Sequence, residues 1–278
     1  CIGDSSVGCV KDDAEDCTFT NCSSYSGSNI VGNTATNCTF TSCSSISGYI
    51  VGATATDCTF TNCSGGSNIV GNAATNCTFT NCSISGSSSY IVGATATDCT
   101  FTNCSSYSSY SHSYIVFTTA TNCTFTNCSS SSSGSGSSYI VGTTATNCTI
   151  SRCVASRLTG TTSGYKVTNS IIWNSTITTM GFGSGTNNAA SAYVDANTLV
   201  LGTDNALANF ASIGTVETIG YSASLNSTPA ADFGDFRPQA GSVLIGAGVA
   251  VAGITDDIEG NTRPDPPTIG AYEYVEEA

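Results

Sequence analysis

Sixteen cysteines stand in a chain of 278 residues, and fourteen of them recur as C-x4-C pairs. The pairs are Cys17/Cys22, Cys38/Cys43, Cys58/Cys63, Cys77/Cys82, Cys99/Cys104, Cys123/Cys128 and Cys148/Cys153, with Cys1 and Cys9 ahead of them. A reducing cytosol would hold these as thiols and an extracellular compartment would oxidise them, so structural disulfides are expected. Two connectivities suit the spacing. Pairing within each C-x4-C unit uses all fourteen and leaves Cys1 for Cys9, the tidier outcome. Pairing between equivalent cysteines of neighbouring units is also in reach if the units stack like strands of a sheet, about 4.8 Å apart, but it leaves one over in each set of seven. Closely spaced cysteines also hold zinc. The one histidine, His112, lies in a Ser/Tyr-rich stretch and reads as a solvated loop residue, so a zinc site would be all-thiolate. No metal or cofactor is expected.

Carboxylates and hydroxyls are the other groups able to act. Asp57 and Asp98 are the only charged residues between Cys17 and Ile150. Hydrolysing a glycosidic bond takes two carboxyl groups flanking it, and two units apart would place these about 10 Å from each other. Each stands where its neighbours have Asn, however, and Lys11, Lys166 and the four arginines lie outside the repeat core, Arg152 standing in the last unit just before Cys153. A polysaccharide lyase or glycosidase is therefore the alternative, and no enzymatic activity is expected. Thr39/Thr41, Thr59/Thr61, Thr78/Thr80, Thr100/Thr102 and Thr124/Thr126 would project outward as a grid of about 6.7 by 4.8 Å. That grid resembles the arrays of insect antifreeze solenoids, which makes ice binding a second alternative; Thr also simply suits exposed strand positions.

These groups are positioned by a repeat. The cassette T-A-T-[N/D]-C-T-F-T-[N/S]-C has its first cysteine at Cys38, Cys58, Cys77, Cys99, Cys123 and Cys148, after an abbreviated copy at Cys17. Units of about 19 to 25 residues are in the range of solenoid coils. The cassette length is constant, and all variation falls in the Ser/Gly/Tyr stretch after the second cysteine, as for a fixed rung with a tolerant outward loop. Thr, Val, Ile, Phe and Tyr at period two predict strands, with Cys and Phe on one face and Thr on the other. The phase slips at Asn37, so a bend belongs there. A further strand begins at Ile50-Val51, Ile91-Val92 and Ile140-Val141. The expected fold is all-β, a parallel β-helix with three short strands per coil and a less regular C-terminal cap. Stacking then makes a core column of Phe19, Phe40, Phe60, Phe79, Phe101 and Phe125, ended by Ile150. Asn21, Asn62, Asn81, Asn103 and Asn127 form a turn column that Ser42 interrupts, in which amides hydrogen-bond up and down.

Only 9% of residues are charged, for a net charge of −13 with six Lys and Arg. An ordinary globular protein has roughly 25%. Nucleic acid and anionic membranes are excluded as partners, because both need clustered basic residues. No apolar run approaches the roughly 20 residues that span a bilayer, so no transmembrane segment is expected. The start at Cys1 suggests a processed, secreted chain, with lipid modification of that cysteine as a further option.

After Cys153 the cassette gives way to Asn169-Ser170-Ile171-Ile172-Trp173-Asn174 and, later, to Asp257-Ile258-Glu259-Gly260-Asn261-Thr262-Arg263-Pro264 with Ile269-Gly270-Ala271-Tyr272-Glu273-Tyr274. There the chain resembles bacterial surface β-helix proteins of the choice-of-anchor Q type, and its C-T-F-T-N rungs resemble those of chlamydial polymorphic outer-membrane proteins. The resemblance implies a right-handed β-helix, exported and displayed at the cell surface. The stretch Phe236 to Gly246 lacks the acidic residue common near that point in the first family, and no sorting segment follows Tyr274.

Four regions are expected: an N-terminal cap at 1–16, cysteine-bearing coils at 17–153, irregular coils at 154–225 and a capping segment at 226–278. Asp256, Asp257 and Glu259 offer oxygens to calcium but lack the full ligand pattern, so a solvated turn is expected. Asn174 and Asn226 open glycosylation sequons, and the Ser-rich loops suit O-glycans. The functional expectation is an extracellular structural protein: a surface stalk, adhesin or subunit of a filament of stacked solenoids. Its partners would be copies of itself, head-to-tail or lateral, and a surface glycan or the cell envelope.

Overall fold

A computed structural model describes residues 9–25, 27–159, 166–173, 175–179, 199–201, 210–212, 232 and 234–276, with no helix among them. Cys1 and the sequon asparagines Asn174 and Asn226 lie outside the described residues.

Two sharp corners per coil set the path of the chain. Asp16, Asn37, Asp57, Asn76, Asp98, Asn122, Asn147 and Asn169 make the first, with φ between 48° and 53°. Asn21, Ser42, Asn62, Asn81, Asn103, Asn127 and Arg152 make the second, with φ between 49° and 55°. This left-handed conformation costs most side chains through a Cβ clash, and Asn and Asp are the non-glycine residues that tolerate it best. The cassette therefore bends where its asparagines stand. Before the first corner runs a T-A-T strand such as Thr54–Thr56, and between the corners a T-F-T strand such as Thr59–Thr61.

Successive coils pair in parallel and in register, Ala on Ala, Phe on Phe and Thr on Thr. The T-A-T strands form a sheet of eight and the T-F-T strands a sheet of nine. The third sheet has thirteen strands, because the five coils from Cys38 to the one that begins at Cys123 contribute twice, for example with Ser105–Ser108 and Ser113–Val116. The fold is a parallel β-helix of about seven coils. It continues past the last cysteine, since Lys166–Thr168, Ile171–Trp173 and Leu199–Leu201 each stack on the coil before.

One core fills the interior. The six phenylalanine rings stack 4.8 to 4.9 Å apart with planes within 5° of parallel. Burying each ring is worth about 1.5–3 kcal/mol, and stacking adds roughly 0.5–1.5 kcal/mol per pair. Neighbouring strands of an ordinary sheet rotate by about 20°, so the near-parallel rings mark unusually flat faces. Alanines from Ala35 to Ala145 and Ile-Val pairs such as Ile69-Val70 complete the same cluster. The glycine that follows every Ile-Val pair but Ile115-Val116, where Phe117 stands, is set by the coil beneath: a Cβ on Gly52 would lie 2.1 Å from the Gly32 carbonyl oxygen.

Part of the variable stretch is strand, not loop. Ser83–Gly86, Ser105–Ser108 and Ser129–Ser132 are in-register strands. Their inward serines are buried, and their hydroxyls bond backbone across the coil: Ser106 Oγ to the Ser89 carbonyl at 2.8 Å, Ser130 Oγ to that of Ser113 at 2.9 Å. A serine can point inward because the facing strand supplies its acceptor.

Candidate functional site

The outward surfaces and the sulfur columns are where chemistry or recognition can occur. On the T-F-T sheet, Thr39, Thr59 and Thr78 are exposed, while Thr41, Thr61 and Thr80 are half-buried. The same two files are closed higher up, where Thr124, Thr126 and Thr149 are buried. The cause is a change in register partners: Thr149 stacks on Ile171 and Ser151 on Trp173, so the outward face turns hydrophobic. Phe210, Phe236, Leu244, Ile269 and Tyr272 of the C-terminal tail pack against these two residues as a second core outside the coils. The tail thus lies along the side of the rod, bonding Asn122, Thr149 and Asn169 on successive coils.

A buried polar network holds the tail. Arg263 and Glu273 pair at 2.6 Å with both side chains 3% exposed. Arg263 also donates to the carbonyls of Asp256, Thr268, Gly270 and Ala271. Asp257 accepts from the amides of Glu259, Asn261 and Glu273 and from Asn261 Nδ2. The acidic turn is solvated only in part: Asp256 and Glu259 are exposed, while Asp257 is 2% exposed and its oxygens serve mainly the backbone. Among the described residues no group of three or more His, Cys, Asp and Glu could hold a metal ion. The signal for this network was present in the D-I-E-G-N-T-R-P and I-G-A-Y-E-Y segments, but nothing in one sequence says that Arg263 reaches Glu273.

Asp57 and Asp98 sit at the first corner. The column runs Asp16, Asn37, Asp57, Asn76, Asp98, Asn122, so each carboxylate has amides for neighbours. Nδ2 of Asn37, Asn76 and Asn122 donates to Asp16, Asp57 and Asp98 respectively, at 2.5, 2.6 and 3.0 Å. Burial raises the Asp98 pKa, against the Asn122 hydrogen bond. At the second corner Asn127, Asn103 and Asn81 form the amide ladder, with bonds of 3.0 Å.

Tyr90, Tyr114 and Tyr139 stack on the third sheet, and Arg157 lies over the last ring. His112 is exposed, accepts from the Ser137 amide and meets Tyr114 and Tyr139 edge-on. Tyr107 and Tyr110 are exposed beside them. The ring faces of this ladder are used on one another, leaving mainly edges to solvent.

The repeat cysteines occupy two internal columns, one at each end of the T-F-T strand. All fourteen are free thiols, while Cys9 is disulfide-bonded. Within a coil, Cys58 and Cys63 are separated by the whole strand Thr59–Thr61 and the corner at Asn62. At about 3.3 Å per residue that is more than about 10 Å, beyond the reach of about 7 Å that a disulfide allows. Pairing within C-x4-C units does not fit this geometry. Burial holds Cys82, Cys99, Cys104 and Cys128 well above the ordinary thiol range.

No family model matches the chain, and no curated protein matches it. Among solved structures it is similar to two of trypsin-treated QnrB1, a plasmid-mediated fluoroquinolone resistance protein. Identity is 15% and 13%, TM-score 0.25 and 0.23, with 71% and 70% of this chain and 88% and 94% of the others covered. That likeness says nothing about activity.

Proposed function

We propose that the protein is an extracellular structural rod, a stalk or adhesin shaft displayed at the cell surface, that acts through its side faces and not by catalysis. The observation that carries this is the run of flat, in-register faces with Asp57 and Asp98 as their only charges from Cys17 to Ile150. Such faces make broad, uniform contacts, to another copy or to an envelope surface, with little charged surface to desolvate. The resemblance to choice-of-anchor Q and chlamydial surface proteins supports the location. Asp57 and Asp98 are tied to asparagines in the corner column, which is a structural use of carboxylates.

Self-association runs side by side in this reading. Asp12, Asp13, Glu15 and Asp16 crowd one end, whereas Asp256 and Glu259 lie on the tail along the side, beside Asn122 and Asp98. Stacking end on end would take the charged N-terminal end out of water, whereas stacking side by side leaves it solvated. Electron microscopy and sedimentation of the purified protein across a salt series test this. Rods that associate laterally as salt rises are expected, because screening weakens the repulsion between chains of net charge −13. Monodisperse particles at every concentration would remove self-association. Activity on a uronate or pectin panel, lost in Asp57→Asn, would overturn the non-catalytic reading.

A further inference from the structure

We propose that the two thiol columns close into ladders of disulfides between neighbouring coils, joining Cys17–Cys38, Cys58–Cys77 and Cys99–Cys123 in one column and Cys43–Cys63, Cys82–Cys104 and Cys128–Cys153 in the other. The backbone register makes these partners adjacent. Thr39 N donates to the Cys17 carbonyl at 2.9 Å, Thr78 N to that of Cys58 at 2.9 Å, and Ser105 N to that of Cys82 at 2.8 Å. Equivalent cysteines are thereby held at the strand spacing of about 4.8 Å, inside the disulfide window of about 4.4–6.8 Å between Cα atoms. The sulfurs also meet. Each of Cys58 and Cys77, Cys99 and Cys123, Cys43 and Cys63, Cys82 and Cys104, and Cys128 and Cys153 lies close enough to its partner to shift its ionisation.

The odd count selects the leftovers. Each column has seven members, so one thiol in each stays single. In the second column the thiol contacts run unbroken from Cys43 to Cys153, which leaves Cys22, whose thiol donates to the Thr20 carbonyl. In the first they run from Cys58 to Cys123. Cys38 N contacts the Cys58 sulfur and Cys38 neighbours Cys17 below. Cys148 is left, with its thiol donating to the Ala120 and Thr146 carbonyls.

Chemically, each link joins two sulfurs with loss of two protons and two electrons. A small-molecule or protein disulfide accepts them by exchange: one thiolate attacks it, and the second thiolate displaces the carrier from the mixed disulfide, leaving two carrier thiols. Exchange needs thiolate and access. Both are scarce in the folded rod, so the links form as coils close upon one another.

The test is to refold denatured, reduced full-length chain in a glutathione redox buffer, and in parallel to fold it under reductant and oxidise afterwards. Free thiols are alkylated in denaturant, and the links are mapped by non-reduced peptide mass spectrometry. The first arm is expected to yield the six neighbour-in-column links, with Cys22 and Cys148 alkylated and two hydrogens lost per link. The second is expected to leave the column thiols alkylatable. Links of the Cys58–Cys63 kind, or fourteen alkylatable repeat thiols in the first arm, would overturn the proposal. The map is read whatever the rod touches, so it stands apart from the functional reading.

Discussion

A phenylalanine inside the ring column has a neighbour on each face, whereas the first has one. Phe79 stacks on Phe60 and Phe101 and is fully buried, while Phe19 stacks on Phe40 alone and keeps 7% of its surface exposed. Phe79→Ala is expected to cost about 3–5 kcal/mol, since coils locked by backbone ladders cannot collapse into the hole. Phe19→Ala is expected to cost about 2 kcal/mol. Denaturant unfolding with matched slopes measures both, and equal losses would show that burial in the coil, not the ring stack, dominates. The inward set was legible because Cys, Phe and Ala fall at period two and recur. The fate of the outward threonines was not: Thr59 and Thr124 occupy the same cassette position, yet Tyr272, far along the chain, covers only the second. Local pattern fixes which face a side chain takes, and long-range packing decides whether that face stays wet.

At the scale of elements, the tail is a second structure leaning on the first. Its hydrophobic contacts are with Ile171 and Trp173, and its polar centre is the Arg263–Glu273 pair. Removing one partner strands the other charge away from water, a cost of about 3–5 kcal/mol. Glu273→Gln is therefore expected to loosen the tail while the coils stay intact. Hydrogen exchange should quicken at the amides of Thr268 and Glu273 and stay slow at those of Thr59 and Thr78. Arg263→Met combined with Glu273→Leu should recover part of the protection, because no unpaired charge remains. If Glu273→Gln instead speeds exchange throughout the cassettes, tail and coils form one cooperative unit. The tail's charge and proline were visible as a departure from the repeat, but a cap over the strand edges and a strap along the side have the same composition. Only the change from Thr and Ser to Ile171 and Trp173 at outward positions hinted at something lying alongside. The Ser-rich strands were hidden for a related reason: serine suits loops, and here a facing strand supplies the acceptors that let it turn inward.

For the molecule as a whole, each coil rests mainly on its two neighbours, so coils should be removable one at a time with a modest loss of stability. The corner column makes that removal unequal. Deleting 58–76 joins Asp57 to Cys77 and keeps every sheet in register, but it takes away Asn76 and sets Asp57 directly beside Asp98. Deleting 77–98 joins Asn76 to Cys99 just as smoothly and leaves Asp57 beneath its amide donor, which bonds it at 2.6 Å. At one strand spacing, two ionised carboxylates repel by on the order of 1 kcal/mol at a partly exposed corner. Burial already raises the Asp98 pKa, so a charged neighbour raises it further. A carboxyl whose folded pKa lies above its unfolded value adds stability below that value and loses it as pH rises through the folded pKa. The 58–76 deletion should thus match the 77–98 deletion in stability near pH 3 and fall below it by about 1 kcal/mol near pH 7, and Asp57→Asn within the shorter rod should close the gap. A gap that stays constant across this range, or that persists with Asn at position 57, would mean that the alternation of Asp and Asn along the corner has no electrostatic role.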